Sequence, residues 1–251
     1  MSTEVKRFHL EIAELRERID WNYFFWAWGL GSQDATSEAC QSLKAEAEAM
    51  LKEWEGSCSC KALLMRTPAN SDGDDILIGD NLELRLPMLR QQKVQEAGKP
   101  LLSMADFVRP QDQGVRDEIG LFCTTVDAAI EYYEDDPYLR MMAQTLADRL
   151  AEATAERIND EMPGIRPAVG YPMMPDMSMN FVLDSILDMK QIGITLTTSG
   201  MMQPHASVSG MILPNPGAVY FNIGAIGDDQ LEDYAQRRGM SLEEIRRFVR
   251  K

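Results

Sequence analysis

At 251 residues and 45% apolar content, the chain can bury a substantial core as one large domain or two small ones. Its 40 acidic and 25 basic residues leave a formal charge of −15, which argues against a nucleic-acid surface and leaves no basic cluster for a membrane; the acidity serves solubility or a negative face for a basic partner. No apolar run approaches the ~20 residues of a membrane-spanning helix and the N-terminus lacks the apolar core of a signal peptide, so the expectation is a cytoplasmic protein binding neither nucleic acid nor membrane.

Phe8, Ile12, Leu15 and Ile19 recur at helical spacing and predict an opening helix. Asp20 follows, then WNYFFWAW (21–28), whose aromatic density predicts a mostly buried segment with Asp20 at its edge, either as a helix N-cap or as a carboxylate facing a cationic ligand group. Residues 36–55 predict a second helix entered through Thr36 or Ser37 and ended by Gly56. ALLMRTPAN (62–70), the SDGD turn and DILIGD (75–80) read as a hairpin. LRLPMLRQQ (84–92) leads into a polar turn at Gly98-Lys99-Pro100, LLSMADFVRP (101–110) is a strand or short turn, and IGLFCTTV (119–126) is a buried strand.

The longest helix begins at Asp136-Pro137 and runs to about Glu161. Leu139, Met142, Leu146, Leu150, Ala153 and Arg157 form its core stripe, with Asp148, Glu152 and Glu156 at the flank. Those acids are either a solvated face or, at Glu152, a carboxylate directed into a cleft. GIRPAVGYP (164–172) has no helical or strand period. Its prolines stiffen the backbone, Gly170 permits close approach, and Arg166 offers a forked cation suited to a carboxylate or phosphate, so the segment is either a stiff connection or a ligand cradle.

A short amphipathic helix carrying Phe181, Leu183, Ile186 and Leu187 stops at Gly193. SVSGMIL and AVYFNIGA, on either side of a Pro-Asn-Pro-Gly turn, predict an antiparallel hairpin. Two helices close the chain, one capped by Asp228 and ended by Gly239, the other opened by a Ser241/Glu244 capping box. Helices alternating with hairpins favour α+β over a doubly wound sheet. Cys40, Cys58, Cys60 and Cys123 lack zinc-ligand spacing and read as free thiols, Cys58 and Cys60 lying in a loop; no metal site is expected. GxGxxG, P-loop, GxSxG and HExxH signatures are absent, and the 17 methionines fill the core or form an adaptable binding surface.

RIDWNYFFWAW (18–28), PANSDGDDI (68–76), LRQQ (89–92), ADFVRP (105–110), IGLF (119–122), LADRLAEA (146–153), GIRPAVGYP (164–172), ASVSG (206–210) and DQLEDYAQRRGMS (229–241) stand in family order. Over nearly its whole length the chain resembles the S-adenosylmethionine-binding activation domain of cobalamin-dependent methionine synthase. That resemblance implies a single C-shaped α+β domain over 1–251, with an N-terminal helical segment (1–56) packed on it and S-adenosylmethionine on its concave face. Arg166 would hold the methionyl carboxylate, Ala168, Gly170 and Tyr171 would line the ligand, and Asp20 and Glu152 would face its cationic groups. Tyr220 and Phe221 occupy the family's aromatic pair, with Phe221 where tyrosine is common, and His205 replaces a usually small residue.

The implied reaction is reductive methylation of cob(II)alamin, with an electron from a flavodoxin- or ferredoxin-like donor and a methyl group from S-adenosylmethionine, and it requires no catalytic general base. Neither His9 nor His205 lies in a cobalamin-ligating DxHxxG motif, and only DEMP (160–163) separates the long helix from GIRPAVGYP. The resemblance therefore implies a separately encoded activation subunit, a methyltransferase component that docks on a cobalamin-binding methionine synthase chain. The alternatives are a reactivator of a different corrinoid methyltransferase and a non-catalytic S-adenosylmethionine-binding regulatory module.

Overall fold

The computed structural model describes residues 4–93, 98–127, 133 and 135–249; the ends of the expected 1–251 domain and part of the polar turn after residue 92 lie outside them. Strand β1 (Val5–Leu10) leads into α1 (Ile12–Leu15), α2 (Trp21–Ala27) and α3 (Glu38–Trp54). The spine of the fold is β2 (Cys60–Asp72), which is long enough to carry two partners end to end along one edge. β1 pairs with its first half, Leu10 opposite Cys60 and Val5 opposite Met65. β3 (Asp75–Ile78) pairs with its second half after a tight turn in which Gly73 takes a φ of +59°. β4 (Leu84–Pro87) follows β3, and β5 (Asp117–Val126) lies along the opposite edge of β2.

Ala62 and Leu64 face one core with Phe122, whereas Leu63 and Met65 face a second with Leu121 and Cys123. These strands read as unbroken apolar runs because both faces of the sheet are covered. On the first face lie α3 and α4 (Pro137–Asn159), α4 carrying Met142, Leu146 and Leu150 inward and starting on an Asp136 cap that accepts from Tyr138 and Leu139 N–H. Over the second face lies α5 (Met179–Leu187), followed by the short pair β6 (Thr195–Leu196) and β7 (Met202–Gln203). β8 (Ser207–Ile212) extends the sheet beyond β5, making the order β4-β3-β2-β5-β8 with every pairing antiparallel. The architecture is the expected α+β.

The hairpin expected between β8 and 218–226 does not form. GIRPAVG takes the free edge of β8 instead: Ile165 and Leu213 exchange backbone hydrogen bonds of 3.1 and 2.9 Å, Met211 N–H donates to Pro167 O at 3.0 Å, and Val169 N–H donates to Ser209 O at 2.9 Å. Pro167 has no N–H to offer a rung, so the segment is an irregular edge rather than a regular strand. Residues 218–226 lie on its outer side without strand structure, Ile223 N–H donating to Pro172 O at 3.0 Å. The last two helices, α6 (Asp228–Arg238) and α7 (Leu242–Phe248), hold the far end. Buried Asp176 accepts from the Tyr234 hydroxyl at 2.8 Å and pairs with Arg238 at 3.2 Å, and Met177 N–H donates to Phe248 O at 3.0 Å.

Three further expectations are corrected. The N-terminus begins as β1, since Phe8 and Leu10 alternate inward against β2, and helical structure starts only at Ile12 behind a Glu11/Glu14 capping box; segment 1–56 is thus not wholly helical. In α2 only Phe24 and Phe25 are buried, while Tyr23 and Trp26 are both 66% exposed, because a short surface helix directs only one side of its circumference into the core. Gly227, not Asp228, is the N-cap of α6, and Asp228 sits in its first turn. LLSMADFVRP forms a tight helical turn at Met104–Phe107 behind a Ser103/Asp106 capping box.

β8 meets the 164–168 segment at Gly210, where an added Cβ would lie 2.2 Å from the Pro167 carbonyl oxygen. Gly210→Ala should therefore push the segment off the sheet edge, lowering stability by about 1–3 kcal/mol in denaturant unfolding. Unchanged stability would show that the edge adapts.

Candidate functional site

Asp20 follows a tight helical turn at Arg16–Arg18 and caps α2, its Oδ1 accepting from Asn22 N–H at 3.0 Å and Tyr23 N–H at 3.2 Å. Capping and facing a cleft are compatible here, because Asp20 also lies on the wall of a cavity of about 730 Å³. The second wall is one face of α4, where Arg149, Glu152, Ala153 and Glu156 follow the helical repeat. The third is the sheet-edge segment, through Arg166, Pro167, Ala168, Tyr171, Pro172 and Met173; Tyr220, Phe221 and Asn222 close the fourth side.

Ile165 and Val169 spend their N–H groups on β8, so Arg166 N–H is turned the other way and donates to the Tyr220 hydroxyl at 2.7 Å. That bond fixes the arginine backbone against the opposite wall. Its guanidinium reaches Glu156, Nη2 to Oε2 at 3.2 Å, with the arginine side chain only 14% exposed. The Tyr171 hydroxyl donates to Glu152 Oε1 at 3.2 Å. Burial raises the Tyr171 phenol above its usual range, and the Glu152 carboxylate beside it raises it further, since a second negative charge there is disfavoured. Arg18, also on the wall, pairs with Asp160 at 2.6 Å, and Arg149 lies 5.6 Å from the centroid of the Tyr23 ring.

Asp20, Glu152, Arg166, Ala168, Tyr171, Tyr220 and Phe221 are thus brought to one cavity from four separate parts of the chain. Gly170 is not on that wall. It lines two adjacent clefts, and its lack of a side chain answers to a φ of +86° and to Met177 Sδ, 2.7 Å from where a Cβ would stand. His205 borders the cleft shared with Glu152 and Tyr171, its Nδ1 lying 3.4 Å from Asp148 Oδ1. Burial raises the Asp148 carboxyl, against the opposing pull of His205. Sequence reasoning did not single out Arg18, Tyr23, Arg149 or Glu156 as wall residues; for Glu156, the four-residue spacing from Glu152 was the available signal. Cys58 and Cys60 are buried, Cys60 inside β2 rather than in a loop, and burial pushes their thiols up to about 11 and about 12, so both are protonated at neutral pH.

Fold and site together define an α+β domain whose charge-lined cleft lies between a helix face and an irregular sheet edge. A family model for the vitamin B12 dependent methionine synthase activation domain matches residues 11–163 and 157–239. The chain belongs to that family. It is similar to the crystal structure of the MetH reactivation domain bound to AdoHcy, with 33% sequence identity over 98% of this chain and 89% of that one, and a TM-score of 0.88.

Neutralising the carboxylate beside Tyr171 should relieve part of the upward shift of its phenol. Glu152→Gln is expected to move that titration toward the ordinary tyrosine range in an ultraviolet difference titration, with Tyr171→Phe identifying the signal. An unmoved titration would separate the two groups in solution.

Proposed function

We propose that the cavity binds S-adenosylmethionine and that the chain is a reactivation subunit, supporting reductive methylation of cob(II)alamin held by a separate methionine synthase chain and supplied with electrons by a flavodoxin- or ferredoxin-like donor. The observation that carries this reading is the convergence of Arg166 with Asp20 and Glu152 on one cavity. S-adenosylmethionine carries a carboxylate, an α-ammonium and a sulfonium, and a wall holding both arginines and carboxylates is complementary to a ligand of mixed charge. The AdoHcy in the similar reactivation domain is the same molecule without its transferable methyl group.

In this reading Arg166 grips the carboxylate with its forked donors, held at the backbone by Tyr220. Glu152 and the half-exposed Tyr171 ring give the sulfonium a carboxylate and a π-face. Ala168 and Phe221 supply apolar wall. S-adenosylmethionine supplies an electrophilic methyl on sulfur, and its transfer removes no proton from the donor. The chain contributes orientation and electrostatics, so a general base is not needed.

Calorimetric titration tests the reading directly. Wild type is expected to bind S-adenosylmethionine, and Arg166→Ala to bind it about 10- to 100-fold more weakly, the range for losing a charge-assisted hydrogen-bond pair. Absence of binding by wild type, or an unchanged affinity after the substitution, overturns it. Mixing the chain with a cob(II)alamin-loaded methionine synthase, a reduced donor and S-adenosylmethionine should yield the methylcobalamin absorption spectrum; its appearance only with another corrinoid protein would reassign the partner.

A further inference from the structure

Each of the three carboxylates on the cavity wall already has a partner within the chain. Asp20 spends one oxygen on the two N–H groups that open α2, and Glu152 accepts from Tyr171. The third, Glu156, lies one helical turn beyond Glu152 and forms an ion pair with Arg166 at 3.2 Å. The two partners are unequal in exposure. Arg166 keeps 14% of its side chain accessible and needs an anion when the cavity is empty, while Glu156 keeps 53% and can leave the pair at little desolvation cost.

We propose that Glu156 is the specificity-determining acceptor for the ligand's α-ammonium group, released from Arg166 when the ligand's carboxylate takes the guanidinium. An amino acid bears its ammonium and carboxylate on the same carbon, so the ammonium acceptor must lie beside the cation that holds the carboxylate. Glu156 is the wall carboxylate in ion-pair contact with Arg166. Binding exchanges one internal pair, Arg166 with Glu156, for two pairs to the ligand. Every charge then keeps an opposite neighbour, and no guanidinium or carboxylate is left unpaired on either side of the exchange. A ligand lacking the ammonium would take Arg166 but forgo the new pair with Glu156, which solvent would then cover. The site thus selects for a whole amino acid head over a carboxylate alone through the pair gained at Glu156.

This assignment rests on the reading of the cavity as an S-adenosylmethionine site, and its test separates the two. Calorimetry would compare S-adenosylmethionine with its deamino analogue, in which hydrogen replaces the α-amino group, on wild type, Glu156→Gln and Glu156→Asp, with thermal melts confirming that each variant is folded. Wild type is expected to prefer S-adenosylmethionine by about tenfold or more, the scale of one well-placed charge pair. Glu156→Gln should bring the two affinities within about twofold of each other, and Glu156→Asp should keep part of the preference. A preference undiminished in Glu156→Gln, or absent from wild type, overturns the assignment while leaving the S-adenosylmethionine site in place. Wild type that binds neither ligand overturns the site itself, and the assignment with it.

Discussion

The backbone hydrogen bonds between residues 165–169 and 209–213 are the constraint on which the site depends. They attach a segment with no secondary-structure period to the most regular part of the molecule, and Gly210 allows the two backbones to close up. With Ile165 and Val169 committed to β8, Arg166 is left facing the cavity with its N–H on Tyr220. The other end is held as firmly, by buried Asp176 against Tyr234 and Arg238. Two fixed ends and a proline-stiffened middle place the Arg166 backbone, and Glu156 of α4 receives its guanidinium.

The electrostatics of the cavity differ from those of the molecule around it. The chain carries −15 overall, yet arginines 18, 149 and 166 stand on the wall with Asp20, Glu152 and Glu156, so the local count is even. Each arginine is already engaged, with Asp160, the Tyr23 ring and Glu156 respectively. Such a wall offers a simple anion or cation no net attraction and favours ligands whose own charges match the pattern of pairs.

Much of this was legible in the sequence. The β2–β3 hairpin, β5, the Asp136-Pro137 start of α4 and the Ser241/Glu244 box were readable because each rests on residues within one turn or one rung. Phe8 was misread because its spacing to Ile12 fits a helix while its alternation with Leu10 fits a strand, and the decision belonged to β2, some fifty residues away. The supposed hairpin after β8 failed for a similar reason. Apolar β-branched runs on either side of a proline turn satisfy the local rule, but GIRPAVG had already occupied that edge. Most of the site residues were reached through motif resemblance, which carries three-dimensional information that periodicity lacks. Glu156 was seen as part of an acidic flank, and its pairing with Arg166 needed the structure.

The four walls of the cavity come from residues 18–23, 149–156, 166–173 and 220–222, so the site spans nearly the whole chain. The first and last of these are about 200 residues apart in sequence, so the cavity is walled only when nearly opposite ends of the chain meet. The cleft accordingly depends on residues 220–222 as much as on α4 and the sheet: without them it lacks the tyrosine that holds Arg166 in place.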